Sequence, residues 1–161
     1  MINIFLNTGM RCSALYKLDV DNINFETKTL VVLDKGSKLQ VYDLSDDTLE
    51  MIVKWLDKRS IILGDQIEEA LFISNQRRRM TQTSIGRIVH KYAQEIPGKN
   101  ITPHKLRATY GTQLYEHTHD IYFVQECMGH NNPKTTELYI RGQKDGTRKK
   151  ALEIMTKVVK Q

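Results

Sequence analysis

The hydrophobic pattern of the chain changes over residues 22–44, and this change restricts the folds that it can adopt. Three short runs that favour β-structure follow one another there, at 23–25, 29–33 and 38–44. The tetrapeptide Asp34-Lys35-Gly36-Ser37 separates the last two runs and is typical of a tight turn. The pattern predicts a three-stranded antiparallel sheet within an otherwise helical chain, an α+β fold that is mainly helical.

Apolar residues at helical spacing predict the helices on either side of this sheet. Ser45 is a good N-cap, because its hydroxyl can accept a hydrogen bond from a free amide of the first helical turn. Thr102 and Pro103 form a second typical helix start, and Pro97-Gly98 ends the helix before it. Before the sheet, helices are predicted for the opening MINIFLN and for residues 13–18. A helix with apolar positions 49, 52, 53 and 56 is predicted directly after Ser45. Further helices are predicted over residues 83–96, 104–116 and 120–128, from 132 or 133 to 139, and over 147–159.

The length of 161 residues suits one domain and is too short for two domains with separate cores. The apolar runs are much shorter than the roughly 20 residues of a membrane span, and the N-terminal segment lacks the basic flank of a signal peptide. Cys12 and Cys127 have no metal-ligand spacing and allow at most one disulfide. These features predict a soluble cytoplasmic protein.

The charge of the chain is distributed unevenly along the sequence. Residues 1–75 contain 8 Lys and Arg against 12 Asp and Glu, whereas residues 76–161 contain 16 against 7, within an overall net charge of +5. A basic region of this size favours nucleic acid, because its cations displace the counterions of the phosphates. An anionic membrane surface and simple solubility are the alternatives that charge alone leaves open.

The sequence lacks the usual nucleotide and metal signatures. It contains neither GxxxxGK[ST] nor GxGxxG, and neither HExxH nor a paired-cysteine zinc pattern. His117 and His119 form an HxH pair, but no cysteine or carboxylate stands at ligand spacing, so a surface turn is the better interpretation. No metal and no cofactor are expected.

Six polar residues spread along the chain are the remaining candidates for a functional site. Taken singly, each has an ordinary interpretation, such as a surface arginine or a solvated lysine in a turn. The six are Arg11 after Gly9, Lys35 in the β-turn, His104 and Arg107 on one face of a helix, His130 after Gly129, and Tyr139.

In order and spacing these residues resemble the tyrosine recombinase (integrase) family, which includes phage and transposon integrases and Xer-type resolvases. The resemblance covers nearly the whole chain. It rests on TGMRCS around Arg11, Lys35 in its hairpin turn, HKLR at residues 104–107, and MGHNNPKTTELY at residues 128–139. It implies that residues 1–161 form a recombinase catalytic domain, truncated at its N-terminus and lacking the upstream DNA-binding domain of the family.

The resemblance also implies a chemistry for each residue. Arg11 and Arg107 would hold the non-bridging oxygens of a DNA phosphodiester, because guanidinium groups form forked, charge-assisted hydrogen bonds with phosphate. Tyr139 would be the nucleophile that forms a 3′-phosphotyrosine. The remaining roles are hydrogen bonding to the phosphate by His130, proton transfer by His104, and protonation of the leaving 5′-oxygen by Lys35. No metal or cofactor is required for this chemistry.

The implied partner is double-stranded DNA and not a membrane. Four protomers would assemble at synapsis, with the helix from Thr147 as a candidate for docking onto a neighbour, and accessory DNA-bending factors are possible partners. Arg77, Arg78, Arg79 and Lys105 are the candidate contacts with the DNA backbone, although a solvated arginine run is the ordinary interpretation. Trp55 and Tyr92 are predicted to be core residues and not base-stacking platforms.

Two departures from the family pattern concern positions beside the motifs. Ala14 replaces the acidic residue that commonly follows TGxRxS, and Ala108 replaces a polar residue after HxLR. Integration or excision of a mobile element is the main functional hypothesis. The alternatives are an Xer-type resolvase or invertase, a DNA-binding module that has lost catalysis, and a structural or regulatory helical protein with a basic face.

Overall fold

The computed structural model describes residues 1–34, 38–93 and 100–129, without the side chains of residues 34 and 38. It divides into two compact units, Met1–Tyr110 and Gly111–Gln161. The helices are α1 (Ile2–Thr8), α2 (Cys12–Lys17), α3 (Asp46–Leu63), α4 (Gln82–Ala93), α5 (Pro103–Thr118) and α6 (Ile121–Cys127), with a short 3-10 turn at Val20–Asn22. The predicted helices from 132 or 133 to 139 and over 147–159 lie outside the described residues.

One antiparallel sheet of three strands follows the 3-10 turn. Its strands are β1 (Ile23–Asn24), β2 (Thr29–Asp34) and β3 (Lys38–Asp43), in that spatial order. The register pairs Leu30 with Tyr42 on the face that is buried, and Leu33 with Leu39 on the face that is exposed. A mainly helical α+β fold with a small three-stranded antiparallel sheet, predicted from the sequence, is therefore confirmed.

The core of the first unit joins α1, α2, α3, α4 and the buried face of the sheet. Its fully buried side chains include Phe5, Leu15, Leu30 and Ile85, together with Leu71 from the segment between α3 and α4. Burial of each such side chain contributes about 1.5–3 kcal/mol to folding before the entropy cost is subtracted. This core includes buried residues of α1 and α2, the two helices that flank Gly9 and Arg11.

Helix α3 shows how tertiary packing modifies a simple periodic pattern. The hydroxyl of Ser45 accepts a hydrogen bond from the Thr48 amide at 3.3 Å, as predicted for this cap. Val53, predicted on the apolar face, is exposed, and Trp55 packs half-buried against Phe72 with ring centroids 5.9 Å apart. The Trp55 indole nitrogen donates to the Leu71 carbonyl at 2.7 Å, so a polar contact fixes a residue that periodicity treated as purely apolar.

An apolar cavity of about 890 Å³ opens beside the N-terminus, and Arg11 and Arg107 do not line it. Tyr92 borders this cavity and is 57% exposed, so the prediction of a core position for Tyr92 was wrong. Helical periodicity gives the face of the helix on which Tyr92 lies, but that face borders a cavity at this position. Burial beside the same cavity lowers the pKa of the Met1 amino group to about 6.

No helix in the described ranges is both long enough and apolar enough to cross a bilayer. Those ranges also contain no cluster of His, Cys, Asp and Glu side chains suited to a metal ion.

Candidate active site

A sharp turn between α1 and α2 positions Arg11. Gly9 ends α1 in the left-handed region, with φ 59° and ψ 16°, and its amide donates to the Phe5 carbonyl at 2.9 Å. The buried Thr8 hydroxyl donates to the Ile4 carbonyl at 2.6 Å and accepts from the Met10 amide at 3.2 Å. Glycine adopts this backbone conformation without strain, whereas for other residues it costs about 1–2 kcal/mol of conformational free energy.

Arg11 is the N-cap residue of α2 and is half-buried. Its carbonyl accepts from the amides of Ala14 and Leu15, both at 3.0 Å, so the backbone of Arg11 is fixed by the first turn of the helix. Ala14 is 1% exposed and part of the core. The alanine therefore contributes apolar packing to the core, three residues after Arg11.

Arg107 is supplied by the second turn of α5 and is only 5% exposed. Its guanidinium Nη1 donates to the carbonyl of Gly9, 98 residues away in sequence. A buried guanidinium is costly unless its donors are satisfied, so this contact has a structural reason of its own. The same turn thus carries Arg11 and accepts a hydrogen bond from Arg107, which couples the placement of the two arginines.

The start of α5 positions His104 and Lys105. The Thr102 hydroxyl accepts from the Lys105 amide at 3.3 Å, and Pro103 occupies the first helical position, as predicted for this cap. His104 and Lys105 are both exposed. Because His104 precedes Arg107 by three residues, the two lie on the same side of the helix.

Three predicted site residues, Lys35, His130 and Tyr139, lie outside the described residues. The strand register continues to the pair Asp34 and Lys38, and the chain segment between these two contains Lys35. In the second unit, α6 ends before Gly129, which has φ 59° and donates its amide to the Glu126 carbonyl at 2.9 Å. The roles assigned to these three residues remain predictions.

The three consecutive arginines have different environments. Arg77 and Arg78 are exposed on a turn in which the Arg77 amide donates to the Ser74 carbonyl at 2.9 Å. Arg79 is directed into the fold. Its Nη1 donates to the carbonyls of Tyr16 and Leu18 at 3.1 and 3.2 Å, and its Nη2 forms a salt bridge with Asp19.

Glu68 also contacts the backbone at Arg79. Its two carboxylate oxygens accept from the amides of Ala70 at 3.0 Å and Arg79 at 3.1 Å. The hydrogen bond from Ala70 is the largest cause that lowers the pKa of Glu68 below its ordinary value. Sequence reasoning missed both this carboxylate and the internal role of Arg79, since neither belongs to a motif.

Burial raises the pKa of the Cys12 thiol, and burial together with the nearby Glu126 carboxylate raises that of Cys127. Both thiols are free and half-buried. A raised pKa keeps a thiol protonated and a weak nucleophile at neutral pH. Neither cysteine is one of the six motif residues predicted to form the site.

The phage integrase family model matches residues 1–145. This chain belongs to the phage integrase family. Curated members of the family that resemble it include the tyrosine recombinase XerC of Actinobacillus succinogenes, 31% identical over 140 residues and 86% of this chain. The tyrosine recombinase XerD of Staphylococcus epidermidis is 30% identical over 151 residues and 92% of this chain. The resemblance predicted from the ordered motifs is thus confirmed.

A similar solved structure supports the fold assignment. The post-cleavage complex of the XerH site-specific recombinase with a palindromic difH substrate matches with a TM-score of 0.75 and 26% identity. The match covers 93% of this chain and 43% of that one. This chain also spans about half the length of the curated relatives, 47% of XerC and 51% of XerD.

Proposed function

We propose that residues 1–161 form the catalytic domain of a site-specific DNA recombinase, which cleaves and rejoins strands through a covalent 3′-phosphotyrosine at Tyr139. The observation that carries this proposal is the contact between the buried Arg107 guanidinium and the carbonyl of Gly9, two residues before Arg11. Membership of the phage integrase family supports it. The match to a recombinase structure named as a post-cleavage complex with its DNA substrate supports it further.

The two arginines supply the electrostatic part of the reaction. Attack on a phosphodiester increases negative charge on the non-bridging oxygens, and fixed guanidinium groups stabilise that charge without reorganising during the reaction. Arg107 is suited to this task because its position is set by the fold before DNA arrives. Arg11 is suited because the first turn of α2 fixes its backbone.

The remaining residues complete the transfer. The phenol oxygen of Tyr139 attacks phosphorus, the bond from phosphorus to the 5′-oxygen breaks, and Lys35 gives that oxygen a proton. His104 accepts the proton of the phenol, whose ordinary pKa of about 10 otherwise keeps it protonated. His130 donates a hydrogen bond to the phosphate. Rejoining reverses these steps, with a 5′-hydroxyl as the attacking group.

The partner in this proposal is double-stranded DNA. Arg77, Arg78 and Lys105 are exposed and are suited to contact the phosphates of the backbone. Arg79 instead uses its guanidinium to hold the segment that carries the other two, so we assign it to supporting that surface. Assembly of four protomers on two duplexes, and help from DNA-bending factors, are parts of the same proposal for the whole protein.

Two uses of the reaction are proposed. Integration or excision of a mobile element is the first, in line with the family to which the chain belongs. Resolution by an Xer-type recombinase is the second, and the identity to proteins named XerC and XerD favours it. The test measures recombination between two directly repeated candidate sites on one plasmid and between sites on two separate plasmids. Resolution predicts a strong preference for sites on one plasmid, whereas integration predicts efficient joining of separate plasmids.

The arginine run gives a test of the DNA-binding surface. We expect Arg77→Ala to weaken binding to all duplex sequences and to lower the slope of log K against log salt by about one, since one phosphate contact is lost. Arg79→Ala should leave that slope unchanged and lower the free energy of unfolding by about 1–3 kcal/mol, because it leaves two carbonyls and Asp19 without their donor. Salt-dependent fluorescence anisotropy and urea unfolding measure the two effects.

The opposite pattern would contradict the assignment of the two arginines. A change of salt slope in Arg79→Ala alone would place Arg79 at the DNA and Arg77 away from it.

The proposed reaction is tested by trapping its covalent intermediate. The chain is incubated at low salt with a duplex nicked just beyond the cleavage point, so that the short 5′-hydroxyl strand diffuses away and cannot rejoin. We expect a protein–DNA adduct that survives denaturation, and its complete loss in Tyr139→Phe. Tyr122→Phe, a change at a tyrosine that is 75% exposed, is the matched control and should form the adduct normally. An adduct that persists in Tyr139→Phe would overturn the assignment of the nucleophile.

A further inference from the structure

Two parts of α5 contact the same glycine from different directions. The Arg107 guanidinium donates to the carbonyl of Gly9, and the ring of Tyr110, one helical turn further on, lies against its α-carbon. A β-carbon built on Gly9 would lie 2.8 Å from Cγ of Tyr110, 2.7 Å from Cε1 and closer still to Cδ1. The ring therefore fills the space that any side chain at position 9 would need.

The two contacts together restrict how α5 can move relative to the turn. A single hydrogen bond from a long, flexible arginine side chain fixes a distance but leaves the helix able to tilt or rotate about it. A flat ring packed against the α-carbon of the acceptor residue adds a second point of contact at van der Waals distance, where displacement is resisted steeply. Gly9 has no side chain and lies at φ 59°, so its α-carbon leaves room for the ring where a β-carbon would collide with it.

We infer that Tyr110 is a positioning residue that holds Arg107 and Arg11 in their relative geometry by packing its ring on Gly9. This inference rests on the proposed recombinase function, since it assigns a role to a residue that does not contact the phosphate. Catalytic groups must be held within about 0.5 Å of their productive positions, and residues locked by packing provide that precision. Loss of the ring should therefore affect the chemical step more than DNA binding.

The test compares three tyrosine variants in single-turnover cleavage of the nicked duplex. Tyr110→Leu removes the flat ring, and Tyr110→Phe keeps it without the hydroxyl. Tyr16→Leu removes another half-buried tyrosine that packs against the core. We expect Tyr110→Leu to slow adduct formation at saturating DNA by about 10–100-fold, with the dissociation constant for DNA changed less than threefold, following the sensitivity of catalysis to misplacement. Tyr110→Phe should restore the rate, and Tyr16→Leu should keep it.

A second measurement tests the positioning of Arg107 without any reaction. Because Arg107 is buried and hydrogen-bonded, we expect its side-chain N–H signals to be protected from exchange in the wild-type protein. We expect Tyr110→Leu to lose this protection and Tyr110→Phe to retain it. Normal protection and a normal cleavage rate in folded Tyr110→Leu would overturn the inference. If the wild-type chain forms no adduct, the proposed function fails, whereas the exchange measurement still decides whether Tyr110 holds Arg107.

Discussion

Arg107→Lys is expected to reduce the rate of adduct formation by about 10²–10³-fold, the loss typical when one preorganised donor to a developing anion is removed. Lysine keeps the positive charge but presents a compact ammonium in place of a planar fork. It therefore cannot satisfy the Gly9 carbonyl and hold a phosphate oxygen in the same geometry. Arg107 is 5% exposed, so the substituted ammonium is also desolvated without its natural partners.

The neighbouring Lys105 provides the control for this substitution. Lys105→Ala removes an exposed cation two residues away on the same helix. It should weaken DNA binding at moderate salt and leave the single-turnover rate at saturating DNA within about threefold of wild type, because it alters only a backbone contact. Rapid-quench sampling measures the rate at which each variant forms the adduct with the nicked duplex. A rate of adduct formation in Arg107→Lys equal to that of the wild type would contradict the proposal that Arg107 holds the non-bridging phosphate oxygens.

Lys35→Ala is expected to lower the cleavage rate by about 10²–10⁴-fold, the range for removal of a positioned general acid. Its proposed task is to protonate the 5′-oxygen as the bond to phosphorus breaks. A substrate with sulfur in place of that bridging oxygen has a much better leaving group, which departs as a thiolate and needs no proton. The defect of Lys35→Ala should therefore nearly vanish on the 5′-phosphorothiolate duplex.

The same substrate separates this role from simple charge stabilisation. Arg107→Lys should remain slow on the 5′-phosphorothiolate duplex, because the non-bridging oxygens still develop charge. A Lys35→Ala defect that stays undiminished on the sulfur-containing substrate would exclude Lys35 as the general acid. Lys28→Ala serves as the control, since Lys28 is an exposed lysine paired with Asp46 and should retain the wild-type rate on both substrates.

Local features of the fold were predictable from the sequence because their causes are local. The hydroxyls of Ser45 and Thr102 cap helices through amides three residues away, so sequence spacing contains the whole interaction. The strand pairing of β2 and β3 follows similarly from two β-rich runs joined by a short turn. The family assignment was predictable for a different reason, since four ordered motifs are specific even where each residue is not.

The contacts that organise the site were not predictable, because they join distant parts of the chain. Arg107 and Gly9 are 98 residues apart and belong to two different motifs, neither of which shows that Arg107 binds the carbonyl of Gly9. The sequence assigns Arg79 the same candidate role as Arg77 and Arg78, a contact with the DNA backbone. In the structure its guanidinium instead donates to the carbonyls of Tyr16 and Leu18. The periodicity that placed Tyr92 in the core gives the face of a helix and not what covers that face.

The central claim is that Tyr139 becomes covalently linked to a 3′-phosphate of DNA, and peptide mapping of the trapped adduct tests it most directly. The adduct is digested with protease and nuclease, and the modified peptide is sequenced by mass spectrometry. We expect the peptide that contains Tyr139 to carry a nucleotide through its phenol oxygen and a 3′-phosphate, with a free 5′-hydroxyl on the released strand. A nucleotide on any other residue, or a link through a 5′-phosphate, would contradict the proposed mechanism.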